Sequence, residues 1–314
     1  MTETALPTDP LWPRAGAWPS LDELDPGIHP DLAIIGIPAW STSLSPTGAH
    51  ATPAAIRDVL RRYSPALMPD RSSRSRTVLD HVDLGRLVVV DAGDVAEPDG
   101  PIGEGRAIAA VADAAERARL LVALGGDNSL TLATALGVWG ADLPTAGLIT
   151  LDAHYDLRDG ESNGSPVRRL IEAGLAGGRI VQIGIADFAN SAEYARRALD
   201  HGITVVHRDE LHRRPIADVM AEALDIAGAA GGPVHVDLDV DVCDRSVAPG
   251  CPASVPGGIS AWELRAAARA AASDERVRSI DIAEVDATAD APDGRTVRLA
   301  ALCVLEAVAG VALR

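Results

Sequence analysis

The 314-residue chain contains no lysine, so all 28 of its Lys/Arg positions are arginine. Chemistry that needs a lysine amine, such as a Schiff base or a P-loop phosphate contact, is therefore excluded. Cysteine is sparse. Cys243, Cys251 and Cys303 lack zinc-type spacing, and an odd count suits a reducing compartment better than a disulfide framework. No uninterrupted apolar run reaches transmembrane length. Residues 1–30 hold no basic region followed by an apolar block, so no signal peptide is expected. Positive charge is scarce as well: 28 basic against 45 acidic side chains leave a net charge of -17. That balance argues against nucleic acid and anionic membranes as partners. The expectation is a soluble cytoplasmic protein.

What is present points to one large α/β domain. The apolar fraction of 47% supports a sizeable core. Strands are expected at 32–37, 87–90, 120–124, 147–151, 180–185, 204–207, 234–238 and 279–283. Helices are expected near 54–63, 103–118, from 129, and near 191–200, 216–229 and 261–273. Such alternation predicts a three-layer α/β/α fold on a mostly parallel, about eight-stranded sheet. Residues 1–30 read as an irregular arm, with Trp12 and Trp18 as candidate anchors, and 31–314 as a single domain. The polar stretch 71–76 reads as an exposed basic loop.

Polar clusters fall at the carboxyl ends of the expected strands, where open parallel sheets bind ligands. After Leu151 come Asp152, His154 and Asp156 at alternate positions. If the chain stays extended, they point the same way. Two carboxylates and one imidazole suit Mn²⁺ or another divalent ion, and the alternative is a polar strand end with Asp156 in solvent. Asp237, Asp239, Asp241 and Asp244 lie within eight residues, interleaved with apolar positions. Four buried carboxylates repel one another unless a cation compensates, which favours a metal over a solvated acidic loop. Gly125-Gly126-Asp127-Asn128-Ser129 joins a strand to a helix and, taken alone, is a turn. Glu284 ends the last strand and, taken alone, is an ion-pair partner. Residues 248–258, rich in Pro and Gly, should form a rigid wall, with Cys243 and Cys251 as packing residues.

Spaced and ordered in this way, the motifs resemble the ureohydrolase family of arginases, agmatinases, guanidino-acid hydrolases and formiminoglutamases. The resemblance runs from about Ala33 to near the C-terminus. It rests on Gly-Gly-Asp-Asn-Ser at 125–129, Asp-Ala-His-Tyr-Asp at 152–156, Asp-x-Asp-x-x-Asp at 239–244, the 248–258 loop and Glu284-Val285. It implies an arginase-like fold and two Mn²⁺ per chain. Asn128, Asp152, Asp156 and Asp239 would hold one ion; Asp152, His154, Asp239 and Asp241 would hold the other. By the same resemblance Glu284 pairs with the cationic C–N group of an amidine or guanidine substrate, and Asp156 relays a proton to the leaving amine.

Two positions depart from the family pattern. Asn128 stands where a ligand histidine is usual, and Asn163 where many relatives have a histidine credited with moving protons. An amide oxygen binds Mn²⁺ more weakly than an imidazole, and Asn163 cannot titrate. His50 is a substitute shuttle or, more simply, a surface residue. The first change and the Ala248–Pro256 loop resemble the formiminoglutamase branch, which implies hydrolysis of N-formimino-L-glutamate to glutamate and formamide in histidine degradation. Arg158, Arg168 and Arg169 are candidates for binding the substrate carboxylates. The alternatives are an agmatinase or guanidino-acid amidinohydrolase that releases urea, and a catalytically weak regulatory relative. A homo-oligomer is expected from the resemblance.

Overall fold

Residues 9–25, 27–67 and 82–314 are described by the computed structural model. The basic loop expected at 71–76 and the first part of the arm lie outside the described residues. Within the arm, Trp18 packs against the core while Trp12 is exposed.

Eight strands form one sheet: β1 (Leu32–Ile37), β4 (Val89–Asp94), β5 (Leu120–Gly125), β6 (Gly147–Leu151), β7 (Ile180–Ile185), β8 (Thr204–His207), β9 (Val234–Asp239) and β10 (Val277–Ala283). Their order is β4-β1-β5-β10-β9-β6-β7-β8, and every neighbouring pair is parallel. The two-residue strands β2 (Ala66–Leu67) and β3 (Val82–Asp83) make a separate antiparallel ladder. Strands β1, β5, β6, β7 and β9 are buried along their whole length, which is why the first four read as mostly apolar runs; β9 alternates, and its buried polar residues are His235, Asp237 and Asp239.

Helices cover both faces. On one side, α1 (Thr52–Leu60), α6 (Ile216–Ala227), α7 (Ala261–Ser273) and α8 (Arg295–Val311) build the larger core; on the other lie α2 (Gly100–Arg117), α3 (Leu130–Trp139), α4 (Pro166–Ala173) and α5 (Ala192–Asp200). The expected three-layer parallel architecture is the one observed. Two helices were not anticipated. Helix α8 is buried nearly all round, so its sequence carries no polar stripe, and its inward Glu306 is held by Arg265 and Arg269. Helix α4 has only eight residues and opens on Pro166.

The topology does one thing for function. β5, β10, β9 and β6 are adjacent at the centre of the sheet, and these four strands end in the four polar clusters. Their loops therefore open onto a common edge.

Candidate metal centre and active site

Strand β6 delivers Asp152 at its carboxyl end, almost fully buried. Its Oδ1 accepts from the His154 backbone N–H at 2.7 Å, while its Oδ2 has no hydrogen-bond partner among the described residues. The neighbouring β9 ends in Asp239, whose Oδ1 caps the following turn by accepting from the Asp241 N–H at 2.8 Å. That turn swings Asp241 back over β6. Its Oδ1 accepts from the Ala153 N–H at 2.9 Å, and its Oδ2 lies 2.7 Å from His154 Nδ1. Donor atoms of Asp152, His154 and Asp241 all lie within 4.8 Å of one another.

Asp156 arrives differently from the extended path expected for it. Its backbone sits at φ 53, a left-handed conformation that a residue with a side chain rarely adopts. The turn folds the chain back, so that Asp156 Oδ2 accepts from Asn128 Nδ2 at 2.6 Å. Asn128 Oδ1 in turn accepts from the Thr131 hydroxyl at 2.6 Å. Glu284, after β10, is also left-handed at φ 61 and buried. Its Oε1 accepts from the Asn128 N–H and from Asn163 Nδ2, both at 2.8 Å. Asn163 Oδ1 accepts from the Leu44 N–H at 3.0 Å, so this amide bridges an outer loop to Glu284.

The electrostatics are those of a crowded acidic pocket. Burial, then the nearby Asp241, raises the Asp152 pKa to about 6. Burial also lifts Asp156, next to Asp152, and Asp239, next to Asp241 and Asp152, well above the usual carboxylate range. Burial raises Glu284 to about 7 against the opposing hydrogen bond from Asn163. Burial alone would lower His154, but Asp241 and Asp152 outweigh it and push the imidazole up to about 12. Asp241 is the exception: His154 overcomes its burial and holds it low.

An orphaned buried carboxylate oxygen, four carboxyl groups driven toward protonation and an imidazole wedged against two carboxylates form a donor set short of positive charge. A hard divalent cation fits that set.

A cavity of about 440 Å³ opens onto these groups, lined among others by His154, Asp156, Asp239, Asp241, Glu284, Arg158 and Asn163. Of the three arginines singled out in the sequence, only Arg158 lines it. Arg168 is tied to the Arg158 and Gly160 carbonyls and to Glu172, and Arg169 makes a bidentate pair with Glu104. His50 is exposed, its ring against Trp40, and does not line the cavity. Asp237 faces Asp281 one rank deeper in the sheet. Asp244 caps the 244–257 loop from outside, accepting from Ser246 and Gly257 N–H groups. Sequence reasoning missed Thr131, Asn190 and Tyr194, none of which carries a ligand-type signal.

A model of the Arginase family matches residues 30–310. The chain belongs to the arginase family. Among curated relatives, the formimidoylglutamase of Halalkalibacterium halodurans is 32% identical over 292 residues, covering 90% of this chain and 88% of that protein. The formimidoylglutamase of Halobacterium salinarum is 34% identical over 290 residues, covering 89% and 88%. Among solved structures, the formimidoylglutamase of Bacillus subtilis superposes with a TM-score of 0.86 at 28% identity, covering 99% of this chain and 95% of that one. Trypanosoma cruzi formiminoglutamase with Mn²⁺₂ gives 0.79 at 25% identity, covering 91% and 94%. No helix among the described residues of this family member is long and apolar enough to cross a membrane.

Proposed function

We propose that the chain is a manganese-dependent formimidoylglutamase that hydrolyses N-formimino-L-glutamate with one water to glutamate and formamide. The observation that carries this reading is the convergence of Asp152, His154 and Asp241 just after β6 and β9, where His154 and Asp241 line one cavity with Glu284 and Arg158. Relatives of that name at 32–34% identity over about nine-tenths of the chain support it.

Two ions per chain are part of the proposal. Asn128, Asp152, Asp156 and Asp239 would hold one, and Asp152, His154, Asp239 and Asp241 the other. When bound, manganese supplies Lewis-acid polarisation and a nucleophile at neutral pH. The chain's own residues do the rest. Glu284, fixed by two hydrogen bonds, aims a carboxylate at the cationic amidine and orients its carbon. Asp156, whose pKa is raised by burial, is suited to hold a proton and pass it to the leaving glutamate amine. The Arg158 guanidinium has no carboxylate partner among the described residues and would take a substrate carboxylate as a planar fork. Asn163 is a fixed strut on Glu284 and takes no proton.

The test is a product assay on the Mn²⁺-loaded protein with formiminoglutamate, agmatine, guanidinobutyrate and arginine. Formamide and glutamate from the first, with no urea from the others, is the expected result. Urea from a guanidine as the main product would replace this reading with an amidinohydrolase.

A further inference from the structure

His154 lies beyond the end of its strand, since β6 stops at Leu151 and Asp156 already turns into the left-handed region. The chain bends at Ala153 and His154, so something must hold this path in place, or the imidazole would not meet Asp241. The main-chain ladder between β6 and β7 supplies two more rungs: the Asp152 N–H donates to Ile183 O and the Ala186 N–H to Ala153 O, both at 3.0 Å. There β7 also ends. The chain leaves the sheet through Phe188, which is fully exposed with φ 65.

A side chain completes the last of these rungs. Asn190 Nδ2 donates to Ala153 O at 2.8 Å, and Asn190 Oδ1 accepts from the Tyr155 N–H at 3.2 Å. These two backbone groups flank His154. In a parallel ladder a single residue opposite bonds to one C=O and one N–H in this way. Ala186, opposite His154, gives its N–H to Ala153 O, and the carboxamide supplies the acceptor that the Tyr155 N–H would otherwise take from Ala186 O, while adding a second donor to Ala153 O. A second donation from Nδ2, to Ala186 O at 3.2 Å, ties the amide to the end of β7 itself. Both polar ends of Asn190 are therefore spent on backbone, while the residue also lines the cavity.

We infer that Asn190 is a positioning residue for His154: its amide completes the last β6–β7 rung, bonding Ala153 O beside the Ala186 N–H and taking the Tyr155 N–H, and so holds the imidazole on the metal side. A side chain of another kind cannot take this place. An aspartate has no donor for Ala153 O, and an apolar residue has neither group. Groups that orient a ligand without touching the metal typically change metal affinity by about 10–100-fold when removed. The inference rests on the reading of His154 as a ligand, and the experiment separates the two.

The experiment measures Mn²⁺ affinity and stoichiometry of the purified full chain by calorimetry and by electron paramagnetic resonance. Wild type is compared with Asn190→Ala, Asn190→Leu, His154→Ala and Ser260→Ala. Asn190→Leu keeps the volume while removing every hydrogen bond, which guards against simple collapse of the loop. Ser260 caps α7, so Ser260→Ala lowers stability through a different element. Both Asn190 variants should weaken Mn²⁺ binding by roughly tenfold or more, and Ser260→Ala should lower the melting temperature with unchanged affinity. Folded Asn190 variants that bind Mn²⁺ within about twofold of wild type, beside a His154→Ala protein that binds poorly, would overturn the positioning role alone. Wild-type affinity in His154→Ala would overturn the ligand assignment on which it stands.

Discussion

Single residues in this pocket divide by what they touch. Asp239 would bridge both ions, so Asp239→Ala should abolish Mn²⁺ binding and activity together. Among the described residues the Glu284 side chain hydrogen-bonds only to Asn128 and Asn163, and Glu284→Ala should keep the metal while lowering kcat/KM by roughly 100-fold or more. Metal content by atomic absorption alongside steady-state kinetics checks both. A metal-free Glu284→Ala protein would show that the carboxylate belongs to the metal site after all. Asn128 has a more delicate position, because its amide already serves Asp156 and Thr131. Any ion that it ligates must compete with those bonds and accept a weaker donor than an imidazole. Two unequal Mn²⁺ sites are therefore expected in a calorimetric titration, with Asn128→His tightening the weaker. Two equal, tight sites in the wild type would contradict this.

At the scale of elements, the loops work because their backbones are packed against the sheet. A Cβ added at Gly126 would meet Ala39 O at 2.2 Å and Ala39 N at 2.6 Å, and both are backbone atoms with no room to give. Gly126→Ala should accordingly cost on the order of 2–3 kcal/mol and displace Asn128 with its loop. A melt and an Mn²⁺ titration of that variant would reveal it, and a wild-type melting temperature would not be compatible with the contact. The same elements explain what was legible in the sequence. Strands β1, β6, β7 and β8 stood out with their observed bounds, because apolar runs in a buried parallel sheet are short and are punctuated by loop residues. Asp152, His154 and Asp241 were legible because ligand types recur at fixed spacing after a strand. Helix α8 was not, since beyond Arg298 its less buried positions, Leu302 and Leu305, are apolar too and mark no polar face. Arg168 and Arg169 looked equivalent to Arg158 along the chain, yet α4 turns them toward Glu172 and Glu104. Asn190 gave no signal, because an asparagine after a strand reads as a turn until its partners are known.

For the molecule as a whole, the decisive quantity is charge. A chain of net charge -17 gathers Asp152, Asp156, Asp239, Asp241 and Glu284 into one buried pocket. Without metal, Asp152 is lifted from 3.8 to about 6 and Glu284 from 4.5 to about 7, with Asp156 and Asp239 shifted in the same direction. A carboxyl group with a raised folded-state pKa binds its proton more tightly folded than unfolded. Its contribution to stability is present below the unfolded value and is lost as pH rises through the folded one. His154, raised from 6.5 to about 12, has the same sign over a higher window. Asp241, held low, acts oppositely, but only under acid conditions below its ordinary value of 3.8. The metal-free protein should therefore lose stability steadily between about pH 5 and pH 8. Mn²⁺ must displace the same protons, so its affinity should climb by about tenfold per pH unit for each proton released. Melting curves of chelator-stripped and Mn²⁺-loaded protein across that range should diverge as pH rises, the stripped protein falling away. Calorimetry in buffers of different ionisation enthalpy counts the protons. A stripped protein that melts higher at pH 8 than at pH 5, or Mn²⁺ uptake without proton release, would mean that the pocket is not held together by protons in place of metal.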